Sequence, residues 1–263
     1  MTLLQDGYVA FPGYLDGQDI DAIAAEFERL VHDEKAVAPL PSANGKHLIA
    51  HPRKLSRERY PALFSVLDDA RLQKEIGDYF DALYGPGWED DAWPGFHEQL
   101  QIEMNARAGY GSNSMWHFDH HSSVKCAIYI DAVDAGNGAM DVIPGSHRAA
   151  RREVLRQLAL DPEPLMLENG FDDLPDIKPT KLALPAGSVA IFDTLCIHRG
   201  GHVREENRRR RTLRGVTWPP RLSRSYLTIE GPDVIDFSKI RLFHTGGGRT
   251  GRKTENPCLQ FRG

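Results

Sequence analysis

The stretch that most constrains this chain is Trp116-His117-Phe118-Asp119, because its two polar side chains need a third from far away in sequence. In a β-strand side chains alternate between faces, so His117 and Asp119 point one way and Phe118 the other. An imidazole nitrogen beside a carboxylate oxygen makes two-thirds of a common iron(II) site: two histidines and one carboxylate on one octahedral face, the other positions open. The best candidate for the third ligand is His198, in Ile197-His198-Arg199-Gly200-Gly201, about eighty residues on. It follows a hydrophobic run that reads as a buried strand. Alone, His-x-Asp is a weak signal, since most such pairs are a histidine beside a satisfied carboxylate.

The rest of the chain supplies the context. Residues 6–13 read as a turn, a short strand and another turn. An amphipathic helix is expected over 17–35, where Ile20, Ile23, Ala24, Phe27, Leu30 and Val31 recur at three and four residues. Pro39, Pro41, Gly45 and Pro52 break the pattern over 36–59, which reads as a long irregular segment of the kind that forms lids or substrate walls. Its His47, His51, Arg53 and Lys54 are read as solvated. A second helix is expected over 61–84, stopped by Gly85-Pro86-Gly87. Strands then take over, at 99–105, 116–119, 125–130, 140–143, 182–184, 189–192, 211–218 and 225–229, with a hairpin signal at 134–138. Residues 149–178 look like an insertion, a short helix near 152–160 followed by an acidic loop with prolines. The tail 246–263, rich in glycine and charge, is expected to be mobile. No internal repeat shows, so one domain over 1–263 is the economical reading. Helices followed by many short strands around an enclosed site indicate an α+β protein with a jelly-roll barrel.

Composition removes several classes. With 41% hydrophobic residues the chain is neither disordered nor membrane-embedded, and a net charge of -5 argues against a general nucleic-acid binder. Cys126, Cys196 and Cys258 are odd in number and widely spaced, as expected of reduced thiols in a cytoplasmic protein. No secretion leader or membrane-length apolar run is visible. The expected partner is a small molecule rather than nucleic acid or membrane, and no signature of oligomeric state shows.

From Asp6 to Pro219 the sequence resembles the phytanoyl-CoA dioxygenase family of iron(II)- and 2-oxoglutarate-dependent oxygenases. The matching pieces are Gly7-Tyr8-Val9 ahead of a helix, Trp116-His117-Phe118-Asp119, Asn137-Gly138 leading into Val142-Ile143-Pro144-Gly145-Ser146-His147, and Pro185-Ala186-Gly187-Ser188 ahead of Asp193 to His198, with an arginine after that histidine. The resemblance implies a double-stranded β-helix (a jelly-roll, cupin-like core) with the N-terminal helices packed on the sheet. It implies His117, Asp119 and His198 as iron ligands, and Fe(II), 2-oxoglutarate and O2 as cofactor and cosubstrates. It also implies an arginine gripping the distal carboxylate of 2-oxoglutarate, a task suited to a planar guanidinium. Arg208, Arg209, Arg210 and Arg211 stand in a row. Arg211, ahead of Leu213, Val216 and Trp218, best fits the family frame and Arg209 is second choice, leaving Arg208 and Arg210 as a solvated basic turn.

Gln101 and Asn105, on one face of their strand, resemble positions that meet 2-oxoglutarate or substrate in relatives, or are ordinary strand polars; Lys125 is a weaker candidate of the same kind. His120 and His121 flank the site as substrate contacts, while Gly145, Ser146 and His147 are read as structural. The implied reaction is hydroxylation of an unactivated C–H bond of a small polar metabolite or natural-product intermediate, with release of succinate and CO2. Asp119 disfavours halogenation, whereas desaturation, epoxidation and cyclisation use the same ligands. The rival readings are a divalent-metal hydrolase, a non-catalytic ligand-binding relative, and a nucleic-acid oxygenase hinted at by the arginine row.

Overall fold

The structure is a computed structural model that describes residues 2–40, 45–86, 88, 99–105, 115–119, 123–160, 167–171, 177–205, 208, 210–217, 229–240, 242–246 and 253–255. A short helix α1 (Leu3–Asp6) leads into strand β1 (Tyr8–Phe11). Helix α2 (Gly17–Val31) starts behind Asp16, whose carboxylate accepts from the N–H groups of Gln18 (2.8 Å) and Asp19 (3.0 Å), and it buries Ile23, Phe27, Leu30 and Val31 as the periodicity predicts. The single helix expected over 61–84 is two, α3 (Pro61–Leu67) and α4 (Ala70–Tyr84). The break falls at Asp68–Asp69, where the Asp69 side chain caps the second helix by accepting from Arg71 and Leu72 N–H. A short polar side chain there competes for backbone donors and restarts the helix.

The segment over 36–59 is not a loop throughout. It carries the hairpin β2 (Val37–Leu40) and β3 (Gly45–Ala50), then a 3-10 turn at Pro52–Lys54. Pro39 fits because β2 is the edge strand, where a missing N–H breaks no ladder. After these come β4 (Gln99–Asn105), β5 (Trp116–Phe118), β6 (Val124–Tyr129) and β7 (Asp141–Val142), then α5 (Ser146–Leu160), which starts earlier than expected. The apparent insertion contains β8 (Leu167–Phe171), which pairs with β5 and so belongs to the barrel. Then follow β9 (Thr180–Lys181), β10 (Ser188–Asp193), β11 (His198–Arg199) and β12 (Arg210–Thr217). Strand β13 (Phe243–Gly246) pairs with β14 (Lys253–Glu255), which lies within the region expected to be a tail. Of the strand expected over 225–229, residues 225–228 lie outside the described residues, as does Cys258; Cys126 and Cys196 are buried free thiols.

Two antiparallel sheets result, one in the order β1-β10-β6-β12-β4-β3-β2, the other β14-β13-β8-β5-β11-β7-β9. They face one another as a jelly roll. The outer face of the first sheet carries Ile102, Ile128, Ile191 and Leu213 against Phe27, Leu67 and Phe80 of the helices. Its inner face carries Ala127, Tyr129, Ala190 and Phe192, which cluster with Val142 of the second sheet. The helices thus cover one side of the large sheet, and the chamber lies on the other. Among the described residues no helix is long and apolar enough to cross a membrane.

Candidate metal centre

Strands β5 and β11 are neighbours, and their register sets His198 directly opposite His117 with the ring centroids 4.3 Å apart. One ligand atom each from His117, Asp119 and His198 comes within 4.8 Å of the others. Phe118 turns to the other face and packs on Phe237, as strand alternation requires.

Backbone carbonyls set both imidazoles. His117 Nδ1 lies 2.8 Å from the Met115 carbonyl and His198 Nδ1 lies 2.7 Å from that of Cys196. A carbonyl only accepts, so Nδ1 donates and each Nε2 keeps its lone pair. Burial, followed by the neighbouring His117, pushes His198 well below the ordinary imidazole range, which keeps it neutral. Asp119 Oδ2 takes a 3.0 Å ion pair from Lys125, and Oδ1 is buried with no hydrogen-bond partner among the described residues. Burial pulls the Asp119 carboxyl up, yet Lys125, His198 and His117 together hold it below the usual carboxylate value. An orphaned carboxylate oxygen facing two imidazole lone pairs is costly alone and is satisfied by a cation. The donor set of two nitrogens and one oxygen fits iron(II).

The turn from 193 to 198 positions two of the three ligands. The Thr194 carbonyl accepts from Asp119 N–H at 2.9 Å, and the Cys196 carbonyl holds His198. Ser146 donates to the Ile143 carbonyl and accepts from Ile197 N–H at 2.8 Å, so the Pro-Gly-Ser-His stretch supports the residue before the ligand. Asp193 anchors the turn: one oxygen accepts from Leu195 N–H at 2.8 Å, the other meets Arg151 of α5 and Tyr79 of α4. Arg151 and Asp193 are fully buried. Nothing in the sequence marks this group of Asp193, Arg151 and Tyr79, because a buried arginine on a helix reads as an exposed one.

The arginine expected to grip the cosubstrate requires correction. Arg211 chelates Asp131 through Nε (3.0 Å) and Nη2 (2.7 Å) and reaches Glu28 of α2 at 3.2 Å. It pairs with Met104 and shares the outer, helix-facing side of β12 with Leu213. One residue earlier or later the side chain changes face. Thr212, opposite Tyr129, and Arg214, opposite Ala127, face the chamber, as does Arg210. Arg210, read from sequence as solvated, meets the Gly138 carbonyl and lies 3.4 Å from Glu103. Arg214 holds the other Glu103 oxygen at 2.6 Å. The frame that favoured Arg211 mixed the two faces, since Leu213 points out while Val216 pairs with Lys125 inside. Assigning Leu213 to the helix-facing core would have found the inner pair.

Gln101 faces the chamber, its Oε1 3.4 Å from Arg214 Nη1. Asn105 pairs in register with Arg210, its side chain outside the described residues. Arg209, His120 and His121 also lie outside them. Arg208 pairs with Asp134 and Glu205, away from the triad. Gly145 forms a turn (φ 77°), and His147 Nε2 lies 3.1 Å from the Leu4 carbonyl.

Fold and donor set together define a jelly-roll metalloprotein of the two-histidine, one-carboxylate kind. Residues 3–211 match the family described as Phytanoyl-CoA dioxygenase (PhyH), and the chain belongs to that family. The family's iron, 2-oxoglutarate and dioxygen fit the triad present here. Among solved structures, the epimerase SnoN from nogalamycin biosynthesis, in complex with Fe3+, alpha ketoglutarate and nogalamycin RO, is 16% identical (TM-score 0.57, covering 97% of this chain and 93% of that one). AviO1 from Streptomyces viridochromogenes Tue57 is 17% identical (TM-score 0.53, 83% and 92%). HygX from Streptomyces hygroscopicus, with nickel, 2-oxoglutarate and hygromycin B bound, is 14% identical (TM-score 0.50, 87% and 87%). At these identities the likeness speaks for the fold alone. No curated protein sequence matches the chain significantly.

Proposed function

We propose that this protein is an Fe(II)- and 2-oxoglutarate-dependent oxygenase that oxidises an unactivated C–H bond of a small polar molecule, with hydroxylation as its reaction. The observation that carries the reading is the buried triad: two imidazoles fixed by carbonyls with Nε2 available, facing a carboxylate oxygen that has no other partner among the described residues. When bound, iron with 2-oxoglutarate supplies the oxidising power, releasing succinate and CO2. His117 and His198 hold the metal by nitrogen and Asp119 by Oδ1. Lys125 pairs with Oδ2, which leaves Oδ1 as the carboxylate oxygen that would meet the metal.

Arg210 replaces Arg211 as the residue assigned to the distal carboxylate of 2-oxoglutarate. Beside it the Thr212 hydroxyl is buried and has no partner among the described residues, leaving a donor for the same carboxylate. Burial raises the Tyr129 pKa, so its phenol stays protonated opposite Thr212. A hydrolase needs only the metal, whereas this chamber also carries inward guanidinium groups. SnoN is an epimerase and SnoK, also from nogalamycin biosynthesis, a carbocyclase, so proteins of this fold carry out more than one reaction.

The test is succinate formation from 2-oxoglutarate by anaerobically iron-loaded protein on exposure to air. Succinate that disappears in His198→Ala is the expected result. No succinate, together with no binding of 2-oxoglutarate by the metal-loaded protein, would remove the oxygenase reading and leave a ligand-binding relative.

A further inference from the structure

The two histidine ligands ride on very short strands, three residues in β5 and two in β11. Among the described residues the ladder between them is the single pair His198–His117. So short a ladder leaves few backbone hydrogen bonds to resist a shift of either strand, and a shift would change how the two rings meet. They stand 4.3 Å apart between centroids and are inclined at 52°. Just past Arg199 the chain leaves the sheet, and Gly201 lies against the Ala139 carbonyl, where a Cβ would not fit. Side chains on the other face of the sheet add what the backbone lacks.

One residue away from each histidine ligand the side chains turn outward, and there Arg199 meets Trp116. The guanidinium carbon of Arg199 lies 4.2 Å from the centre of the Trp116 ring, and its Nε donates to Asp141 Oδ2 at 3.0 Å. Lys181 donates to the other oxygen of Asp141 at 2.5 Å. Register sets Lys181, Asp141, Arg199, Trp116 and Phe171 in one row across β9, β7, β11, β5 and β8. Asp141 is 7% exposed and Trp116 5%, so buried partners hold the half-buried guanidinium at both ends. A planar cation does both jobs together, stacking by its face and hydrogen bonding by its edge.

We infer that Arg199 is a positioning residue of the metal centre: it joins its own strand, beside His198, to Trp116, beside His117, and so fixes the separation and tilt of the two imidazoles. The inference rests on the triad as a metal site and not on the reaction proposed for it. The row faces away from the metal, so Arg199 acts through the strands and not by contact with the ion.

The test uses the full-length protein, with electron paramagnetic resonance reading both the affinity for Mn(II) and the spectrum of the bound ion. Arg199→Gln and Trp116→Leu are each expected to bind Mn(II) about tenfold more weakly, as groups behind metal ligands commonly do when removed, and to change the zero-field splitting of the bound ion. Trp116→Phe keeps a ring under the guanidinium and should stay within about threefold of wild type. Arg199→Gln combined with Trp116→Leu should lose no more than about twofold beyond either single variant, because the two side chains form one contact. A folding defect lowers the fraction of protein that binds and leaves the spectrum of the bound ion as it was. An unchanged spectrum in Arg199→Gln and Trp116→Leu would therefore overturn the inference. So would wild-type affinity in Arg199→Gln, or losses that add in full in the double variant. If wild-type protein binds no Mn(II), the metal centre falls and the positioning role with it; wild-type binding with indifferent variants removes the positioning role alone.

Discussion

At the scale of single residues, Arg211 and His147 make the most direct claims. Arg211 straps β12 to α2 through Asp131 and Glu28, so Arg211→Ala is expected to cost about 2–3 kcal/mol of unfolding free energy, as hydrogen bonds to charged groups do. Denaturant titration measures that loss, and 2-oxoglutarate affinity in the folded variant should stay within about twofold of wild type. His147 is buried, and burial lowers its pKa from 6.5 to about 4. The unfolded chain therefore binds a proton that the folded one refuses between those values. Stability should fall as pH drops from about 6.5 to about 4 and level off below, by about 3 kcal/mol for this group. The difference between wild type and His147→Gln, followed by denaturation across that range, isolates the contribution. Strand faces were legible where local alternation decides them, as for His117, Phe118 and Asp119. They were illegible in the arginine row, because the choice between neighbouring arginines depends on which face of β12 the helices cover.

Among the elements, the turn between β10 and β11 bears the greatest consequence for the site. Asp193→Asn leaves Arg151 buried against a neutral group and is expected to cost about 3–5 kcal/mol. Asp193→Asn combined with Arg151→Met should regain much of that stability while binding Mn(II) about tenfold more weakly than wild type, since groups behind metal ligands commonly matter to that extent. Electron paramagnetic resonance of bound Mn(II) reads the affinity; wild-type affinity in the double variant would reduce the triad to a packing feature. Helix α2 was legible because its apolar residues recur with the helical period. The division of α3 from α4 was not, since Asp68 and Asp69 sit where a continuous helix would carry polar residues anyway. Strand β8 was missed for a different reason. Leu-Glu-Asn-Gly-Phe has no alternation, and what makes it a strand is pairing with β5 fifty residues before it and β13 well after.

For the molecule as a whole, the triad joins strands from distant parts of the chain, so ligand binding and global stability are linked. Mn(II) and 2-oxoglutarate, each near one hundred times its dissociation constant, should each add about 2.7 kcal/mol. A scanning-calorimetry midpoint higher by about 5–10 °C per ligand is the expected reading. In His198→Ala the rise should vanish. The alternation of a helical first third with a strand-rich remainder was enough to indicate a jelly roll. The order of strands within its sheets was not, because it depends on which distant edges meet.

The first residues of the chain are tied into that same turn. Asp193 N–H donates to the Gly7 carbonyl at 2.9 Å, the Cys196 thiol reaches the Asp6 carbonyl at 3.7 Å, and His147 meets Leu4. Gly7 itself, at φ 76°, leaves no room for a side chain: a Cβ there would stand 2.7 Å from His147 Nδ1. A protease that nicked the chain just after Gly7 would cut a segment remote in sequence from the site, and the wound would open beside His198, some 190 residues downstream.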